Sequence, residues 1–164
     1  MSDALPLPEI VLRPIGVVRN GIAEDTGVRW EEVVSRVELE ERYLPAMEGI
    51  EGFSHLVVLF CFHRRPAEPL PLQVHPEQRE DLPLVGVLAT RSPRRPNPIG
   101  ETVVELLRRE GNVLTVRGLD ALDGTPVLDL KPYLPRGDRI EAARVPPWLE
   151  RLWAETQQTT PLPG

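Results

Sequence analysis

Short alternating segments and short apolar runs dominate the chain, and this pattern predicts strands more often than helices. Residues 33–39 read V-V-S-R-V-E-L and alternate with a period of two, as in a strand that buries one face. Residues 53–62 read F-S-H-L-V-V-L-F-C-F and are largely apolar, which is typical of a strand in the core. We predict further strands at 11–18, where Pro14 marks an edge or a bulge, and at 84–89.

The second half of the chain carries a hairpin signal. Residues 102–109 are by themselves ambiguous between strand and helix, but the turn sequence E-G-N separates them from a clear strand at 113–116. A short strand is predicted at 127–130, and the five prolines between positions 66 and 83 predict a long irregular connection. Several short strands joined by turns predict a mainly β protein, a small β-barrel with a few short helices, and a sandwich is the alternative.

One helix is predicted near the end, at 146–156, because proline opens the segment and apolar residues follow at helical spacing. Its apolar face consists of Trp148, Leu149, Leu152 and Trp153. We therefore divide the 164 residues into a flexible N-terminal segment at 1–10, a barrel domain at 11–140, and a C-terminal helix and tail at 141–164.

The charge balance narrows the range of partners. The chain has 19 basic and 25 acidic residues and a net charge of −6, which argues against a general polyanion binder. Residues 61–100 are the positive exception, with 6 basic residues against 4 acidic ones. No apolar run approaches the roughly 18–20 residues of a membrane span, and no signal pattern opens the chain. We therefore expect a cytoplasmic protein without a membrane partner.

The loop at 89–100, A-T-R-S-P-R-R-P-N-P-I-G, lies in this positive region. Its prolines restrict the backbone to extended conformations, so three guanidinium groups are presented on a stiff loop. Such a loop suits an anion, a carboxylate or a nucleotide, and a solvated surface loop is the alternative. The three arginines are Arg91, Arg94 and Arg95.

Other candidate residues are few. His63 opens an H-R-R cluster at the end of the strongest predicted strand, whereas His55 lies inside that strand and is expected to be a core or interface residue. The histidines lack metal-ligand spacing, so we expect no metal site. The single cysteine, Cys61, is expected to be a small buried hydrophobe without a disulfide. Asp123 heads an Asp-Gly turn, where an aspartate often bonds the local backbone.

Three runs of sequence resemble a single family. They read G-V-L-A-T-R-S-P-R-R-P-N-P-I-G at 86–100, G-L-D-A-L-D-G-T-P-V-L-D-L-K-P-Y at 118–133 and G-I-E-G-F-S-H-L-V-V-L-F at 49–60. These runs are similar to the TsaA-like, or TrmO, family, and the similarity covers roughly residues 11–136. Characterised members of that family are small β-barrels that act as S-adenosylmethionine-dependent tRNA methyltransferases. The absence of a G-x-G-x-x-G fingerprint agrees with a barrel rather than a doubly wound methyltransferase.

The resemblance implies a reaction and its partners. The reaction is methyl transfer from S-adenosylmethionine to N6 of threonylcarbamoyladenosine at position 37, beside the anticodon of tRNA. The family is described as dimeric, which implies a homodimer with the site near the subunit interface. By their positions in the motifs, the implied cofactor-binding residues are His63, Arg64, Arg91, Glu101, Asp123, Gly124, Thr125 and Pro126.

Elementary chemistry divides the roles further. A sulfonium methyl donor is already electrophilic, so positioning matters more than a strong nucleophile. Arg91 suits the cofactor carboxylate, and Arg94 and Arg95 suit the phosphates of tRNA. Asn97, extended between two prolines, is the candidate catalytic residue, because its side-chain carbonyl is able to orient the N6 amine. Bracing of the loop is the alternative role for Asn97, and Glu101 is expected to act through its backbone.

Two functions of different classes follow from these residues. The first is a methyltransferase that acts on tRNA. The alternative is a non-catalytic module that binds S-adenosylmethionine or another small anion, which the acidic net charge favours.

Overall fold

The fold is a mainly β architecture, and the computed structural model describes it for residues 7–64 and 69–159. Eight strands are present in these ranges: β1 (Gly16–Arg19), β2 (Val34–Leu39), β3 (His55–Cys61), β4 (Gln73–Val74), β5 (Val85–Gly86), β6 (Ile99–Glu110), β7 (Val113–Arg117) and β8 (Pro126–Pro132). Six of them close an antiparallel barrel in the order β1-β2-β7-β6-β3-β8, and β4 pairs with β5 in a separate sheet. The predicted barrel is therefore confirmed.

The core of the barrel follows from the alternation of the sequence. In β3 the side chains of Leu56, Val58 and Phe60 are buried, while the residues between them lie on the other face. Val37 in β2 and Leu114 in β7 have no exposed surface. The predicted strand at 33–39 is confirmed, and its burial alternates with a period of two. The predicted hairpin is also confirmed, because β6 and β7 pair on either side of the turn at Gly111 and Asn112.

The first predicted strand, 11–18, is wrong in its first half. Only β1 forms, and it pairs with β8 at two positions, Gly16 with Val127 and Val17 with Pro126. We call the pairing of β1 with β8 the seam of the barrel. It does not extend to residues 11–14, because Pro14 and Pro132 lack an amide proton. The amide of Leu130 donates to Oδ1 of Asp129 at 2.9 Å and not to the segment before β1. Residues 11–14 are exposed as a result.

The predicted strand at 84–89 is also largely wrong. Only β5 is extended, and Val87–Ala89 forms a 3-10 turn in which Val87 is buried and Leu88 is 74% exposed. Thr90 closes this turn, because both its amide and its hydroxyl donate to the carbonyl of Val87, at 3.1 and 2.8 Å. The irregular connection at 66–83 contains β4 and a 3-10 turn at Pro76–Gln78, and residues 65–68 lie outside the described ranges.

Helical structure is limited. The helices are α1 (Pro135–Asp138) and α2 (Pro147–Thr159), and further 3-10 turns lie at Trp30–Glu32, Glu41–Met47 and Ile50–Gly52. The predicted C-terminal helix is confirmed, but its apolar face is narrower than predicted, because Leu152 is buried and Trp153 is 52% exposed. Within the described ranges, no helix combines the length and the apolar character that crossing a membrane requires.

The chain divides into two compact units. The first comprises residues 1–64 and 98–133 and contains the whole barrel. The second comprises residues 65–97 and 134–164 and contains β4, β5, both helices and the arginine loop up to Asn97. In the second unit, Arg79 and Arg151 form ion pairs with Asp81 and Glu155, which fasten α2 to the segment after β4.

A close approach between the paired strands β3 and β6 generates a stability prediction. A Cβ on Gly100 would fall inside the contact distance of the Phe60 ring and only 2.9 Å from Cζ of Phe62. Phe60 is buried and cannot move away freely, so we expect Gly100→Ala to lower the free energy of unfolding by about 1–3 kcal/mol in urea titrations. The matched control is Gly52→Ala, where a Cβ meets no atom within 4 Å. Equal stability of the two variants would contradict the packing argument.

Candidate active site at one end of the barrel

Several of the residues implied by the sequence meet at one end of the barrel. β1 and β3 run toward this end, and β8 starts from it, because neighbouring strands are antiparallel. The residues that follow β3 begin with Phe62 and His63, and the turn that precedes β8 contains Asp123, Gly124 and Thr125. The topology thus brings together residues that are about sixty positions apart in the sequence.

His63 lies against this turn. Its Nδ1 is 3.2 Å from the hydroxyl of Thr125, which is 3% exposed, whereas His63 itself is exposed. The Nε2 atom lies 4.0 Å from the position that a Cβ on Gly124 would occupy. Partial burial of the ring and the neighbouring Arg64 cation both lower the pKa of His63 below its ordinary value of 6.5.

The carboxylate of Asp123 braces the loop that follows β1. Its Oδ1 accepts hydrogen bonds from the amides of Asn20 and Gly21, at 2.8 and 3.0 Å. These amides lower the pKa of Asp123, and the Arg19 and Arg64 cations lower it further. Asp123 therefore bonds backbone amides, as expected, but these amides are not local, because they lie about a hundred residues earlier in the chain.

The backbone amides of the turn already donate hydrogen bonds within the protein. The amide of Asp123 donates to the carbonyl of Ile22, that of Gly124 to Val18, and that of Thr125 to Leu122. Gly124 has φ +79, a conformation that favours glycine. The three amides of the turn are therefore bonded within the protein and offer no free donor to a ligand.

The other implied residues of the first unit have different surroundings. Arg64 uses Nη1 to bond the carbonyl of Ala23 at 2.8 Å, so part of its guanidinium group also holds the loop after β1. Pro126 begins β8 opposite Val17. Glu101 lies in β6 opposite Leu59 with an exposed side chain, and no hydrogen bond or ion pair within the described ranges joins it to His63.

The arginine loop belongs to the second unit and has its own internal order. Arg95 braces it, because Nη1 bonds the carbonyls of Thr90 and Ser92, at 3.0 and 3.4 Å. Arg91 and Arg94 are exposed, and their side chains make no hydrogen bond or ion pair within 7–64 and 69–159. Asn97 is exposed as well.

Sequence reasoning missed two residues that hold the site together. Asn20 bonds the hydroxyl of Ser35 and the carbonyl of Ala121 through Nδ2, at 3.0 and 2.9 Å, and accepts the amide of Ile22 at 3.0 Å. Ser35 is fully buried in β2. The Asn-Gly dipeptide at Asn20 signals a turn, but no local signal reveals that this turn is tied to the Asp123 turn.

Two smaller expectations need correction. Of the two roles expected for His55, the core role is wrong, because the residue is exposed at the start of β3, bonds the hydroxyl of Ser54 at 2.9 Å and contacts Tyr133 edge-on. The interface role of His55 stays a prediction. Cys61 is only partly buried, because it lies on the outer face of β3. Among the described residues, no group of three or more histidine, cysteine or acidic side chains is arranged to hold a metal ion.

Comparison with known proteins identifies the family. Residues 19–139 match the model of the tRNA-methyltransferase O N-terminal domain, and this range includes the barrel from Arg19 onward, the turn before β8 and the arginine loop. The chain belongs to the tRNA-methyltransferase O (TrmO) family. The barrel is therefore a TrmO domain, and the turn before β8 and the arginine loop lie in two of the three runs that resemble the family.

Individual relatives agree with this assignment. A probable S-adenosyl-L-methionine-binding protein of Pyrococcus abyssi is 41% identical over 90% of this chain and 79% of its own length. The tRNA (adenine(37)-N6)-methyltransferase of Escherichia coli is 36% identical over 79% of this chain and 60% of its own length. A crystal structure of TrmO from Pseudomonas aeruginosa superimposes with a TM-score of 0.70 at 35% identity, covering 85% of this chain and 62% of that one. The chain thus spans about three fifths of the length of these two bacterial TrmO proteins.

The lowered pKa of His63 generates a prediction about stability and pH. Because the unfolded state binds this proton more tightly, stability falls as pH drops from about 7.5 to 5.5, through the ordinary value of 6.5. We expect urea titrations to show a smaller loss of stability for His63→Gln than for the parent protein over this range. An equal loss in His63→Gln and in the parent protein would contradict the prediction.

Proposed function

We propose that this protein binds S-adenosyl-L-methionine and transfers its methyl group to N6 of threonylcarbamoyladenosine at position 37 of tRNA. The observation that carries the proposal is the match of residues 19–139 to the TrmO domain. The descriptions of the relatives support it, because one is named a probable S-adenosyl-L-methionine-binding protein and another a tRNA (adenine(37)-N6)-methyltransferase. The finer specificity for the threonylcarbamoyl-modified base rests on the family resemblance.

The barrel residues fit the nucleoside part of the cofactor. An adenosine carries amine and hydroxyl donors, and the backbone carbonyls of the turn at 123–125 are acceptors that match them. His63 adds an imidazole whose Nε2 is directed away from its bond with Thr125. We include Arg64 and Pro126 as neighbours of this turn. Glu101 is included through its backbone, because its side chain lies on the outer face of β6.

The loop residues fit the charged groups of the two substrates. Arg91 is exposed and unpaired within the described ranges, so its planar guanidinium group is available for the carboxylate of the cofactor. We propose phosphate contacts for Arg94 and Arg95. The contact is proposed chiefly for Arg94, because Arg95 already holds the carbonyls of Thr90 and Ser92.

The chemistry requires orientation of a weak nucleophile. When bound, S-adenosylmethionine would supply a methyl group on a sulfonium. The bond from N6 to the methyl carbon would form as the bond from that carbon to sulfur breaks, which would leave S-adenosylhomocysteine and release the N6 proton to solvent. The residue proposed to orient N6 is Asn97, whose side-chain carbonyl accepts from the amine. Pro96 and Pro98 on either side limit the conformations of its backbone.

Two further proposals concern the assembly and the location. We propose a homodimer that uses the outer face of β3 and β6, where Val57 and Leu59 are half-buried and Val103 is 46% exposed. An apolar outer face on a barrel strand is typical of a surface covered by another protein chain.

The cytoplasm is the proposed location, because tRNA is the proposed substrate.

A binding module without catalysis is the second candidate function. It is favoured by a specific observation: several relatives are described only as S-adenosylmethionine-binding proteins. The net charge of −6 also limits non-specific attraction to tRNA.

Calorimetry followed by a methyl-transfer assay tests the proposal. We expect S-adenosylmethionine to bind, and mass spectrometry to show one added methyl group on threonylcarbamoyladenosine in tRNA that lacks this methylation. Binding without product on modified tRNA identifies the non-catalytic module. Absence of cofactor binding overturns both candidates.

Two loop variants act as controls for each other in this experiment. Arg91→Ala is expected to weaken cofactor binding about 10-fold, as for a lost charged hydrogen bond, with tRNA affinity unchanged. Arg94→Ala is expected to lower tRNA affinity and the slope of its salt dependence by about one unit, with cofactor affinity unchanged. Equal effects of both variants on both ligands would show that the loop acts only as a structural element.

A pair of exposed valines tests the homodimer. Val103 in β6 and Val34 in β2 are 46% and 48% exposed, so a charge at either position has a similar cost in the monomer. We expect light scattering to show a dimer for the parent protein and for Val34→Arg, and a monomer for Val103→Arg. A monomeric parent protein, or a dimeric Val103→Arg, would exclude this interface.

A further inference from the structure

The hydrogen bond between His63 and Thr125 indicates which ring nitrogen of His63 carries the proton. The Thr125 hydroxyl is buried, and the atom placed to accept its proton is Nδ1 of His63, at 3.2 Å. A buried hydroxyl that cannot donate its proton destabilises the folded state, so the favoured arrangement has Thr125 as the donor. An imidazole accepts at Nδ1 only when it is neutral and carries its proton on Nε2.

We propose that Thr125 is a positioning residue that fixes the tautomer of His63, so that the imidazole presents Nε2–H as a hydrogen-bond donor to the bound nucleoside. The inference rests on the proposed cofactor site for its ligand, but the tautomer itself is a property of the protein alone. This role of Thr125 differs from direct contact with the cofactor, because its hydroxyl proton is donated to His63.

The backbone fixes the Thr125 hydroxyl in place. The carbonyl of Thr125 accepts the amide of Val18 at 2.9 Å, and its own amide donates to Leu122 at 3.1 Å, so the residue is part of the seam between β1 and β8. On the other side of the ring, Gly124 has no side chain, and a Cβ there would lie 4.0 Å from Nε2. His63 is exposed, so the ring edge that carries Nε2 is accessible from solvent beside the turn.

The charges around the ring also favour the neutral form. Arg64, the next residue in the chain, disfavours an imidazolium by repulsion and lowers the pKa of His63 together with burial. The nearby carboxylate, Asp123, is committed to the amides of Asn20 and Gly21 and lies within 3.9 Å of Arg19. Within the described ranges no carboxylate accepts a bond from His63, so the ring lacks the partner that usually stabilises its charged form.

The geometry of the site then selects the ligand atom. The protein offers a donor, Nε2–H, beside carbonyl acceptors. The matching edge of a ligand has an acceptor atom next to a donor group, and a purine base with an exocyclic amine has such an edge. An Nδ1–H tautomer would present a lone pair at Nε2 instead, and this would repel the same acceptor atom.

Nitrogen-15 NMR of the histidine side chains, without cofactor, tests the tautomer. At pH 7.5 we expect His63 to be protonated on Nε2 in the parent protein and in Thr125→Ser, which keeps the hydroxyl. In Thr125→Val, which keeps the shape but removes the donor, we expect a mixture of tautomers and a higher pKa of His63. Calorimetry is expected to show about 10-fold weaker S-adenosylmethionine binding for Thr125→Val and near-parental binding for Thr125→Ser.

Each outcome decides a separate point. An Nδ1–H tautomer in the parent protein overturns the inference without any variant, so a poorly folded Thr125→Val does not block the test. An unchanged tautomer in Thr125→Val also overturns it. If the predicted tautomer is found but S-adenosylmethionine does not bind, the proposed function fails while the tautomer assignment stands.

Discussion

Closure of the barrel at the seam between β1 and β8 is the constraint on which the rest of the structure depends. Regular pairing supplies only two residue pairs there. The turn before β8 provides the remaining bonds: Val18 exchanges backbone hydrogen bonds with Gly124 and Thr125, and Asp123 takes the amides of Asn20 and Gly21. The contacts that close the barrel are therefore the contacts that shape the candidate site.

Because the same contacts close the barrel and shape the candidate site, they limit the groups that remain for a ligand. The amides of the turn and the Asp123 carboxylate are consumed by closure, so they cannot serve as the main recognition groups. The imidazole of His63 and the guanidinium groups of Arg91 and Arg94 are not used in closure, and all three residues are exposed. These are residues to which the proposed function gives recognition roles.

Much of the fold was predictable because its signals are local. The alternation in β2 and the turn between β6 and β7 each act over a few residues, and both elements formed as predicted. The predictions failed where a distant partner decided the outcome. Residues 11–14 stay out of β1 because β8 offers no amide donor at Leu130 or Pro132, and His55 is exposed because its apolar strand turns it to the outer face.

The sequence by itself determined the mainly β class, since apolar periodicity and turn residues depend on near neighbours. The family and the motifs that carry the candidate site followed from the resemblance of three runs of sequence. Only the tertiary structure decided what the site residues do for one another. Asp123 and Asn20 lie 103 positions apart, and His63 and Thr125 lie 62 apart. No local pattern encodes such pairs, because strand order in a closed barrel, and not distance along the chain, brings them into contact.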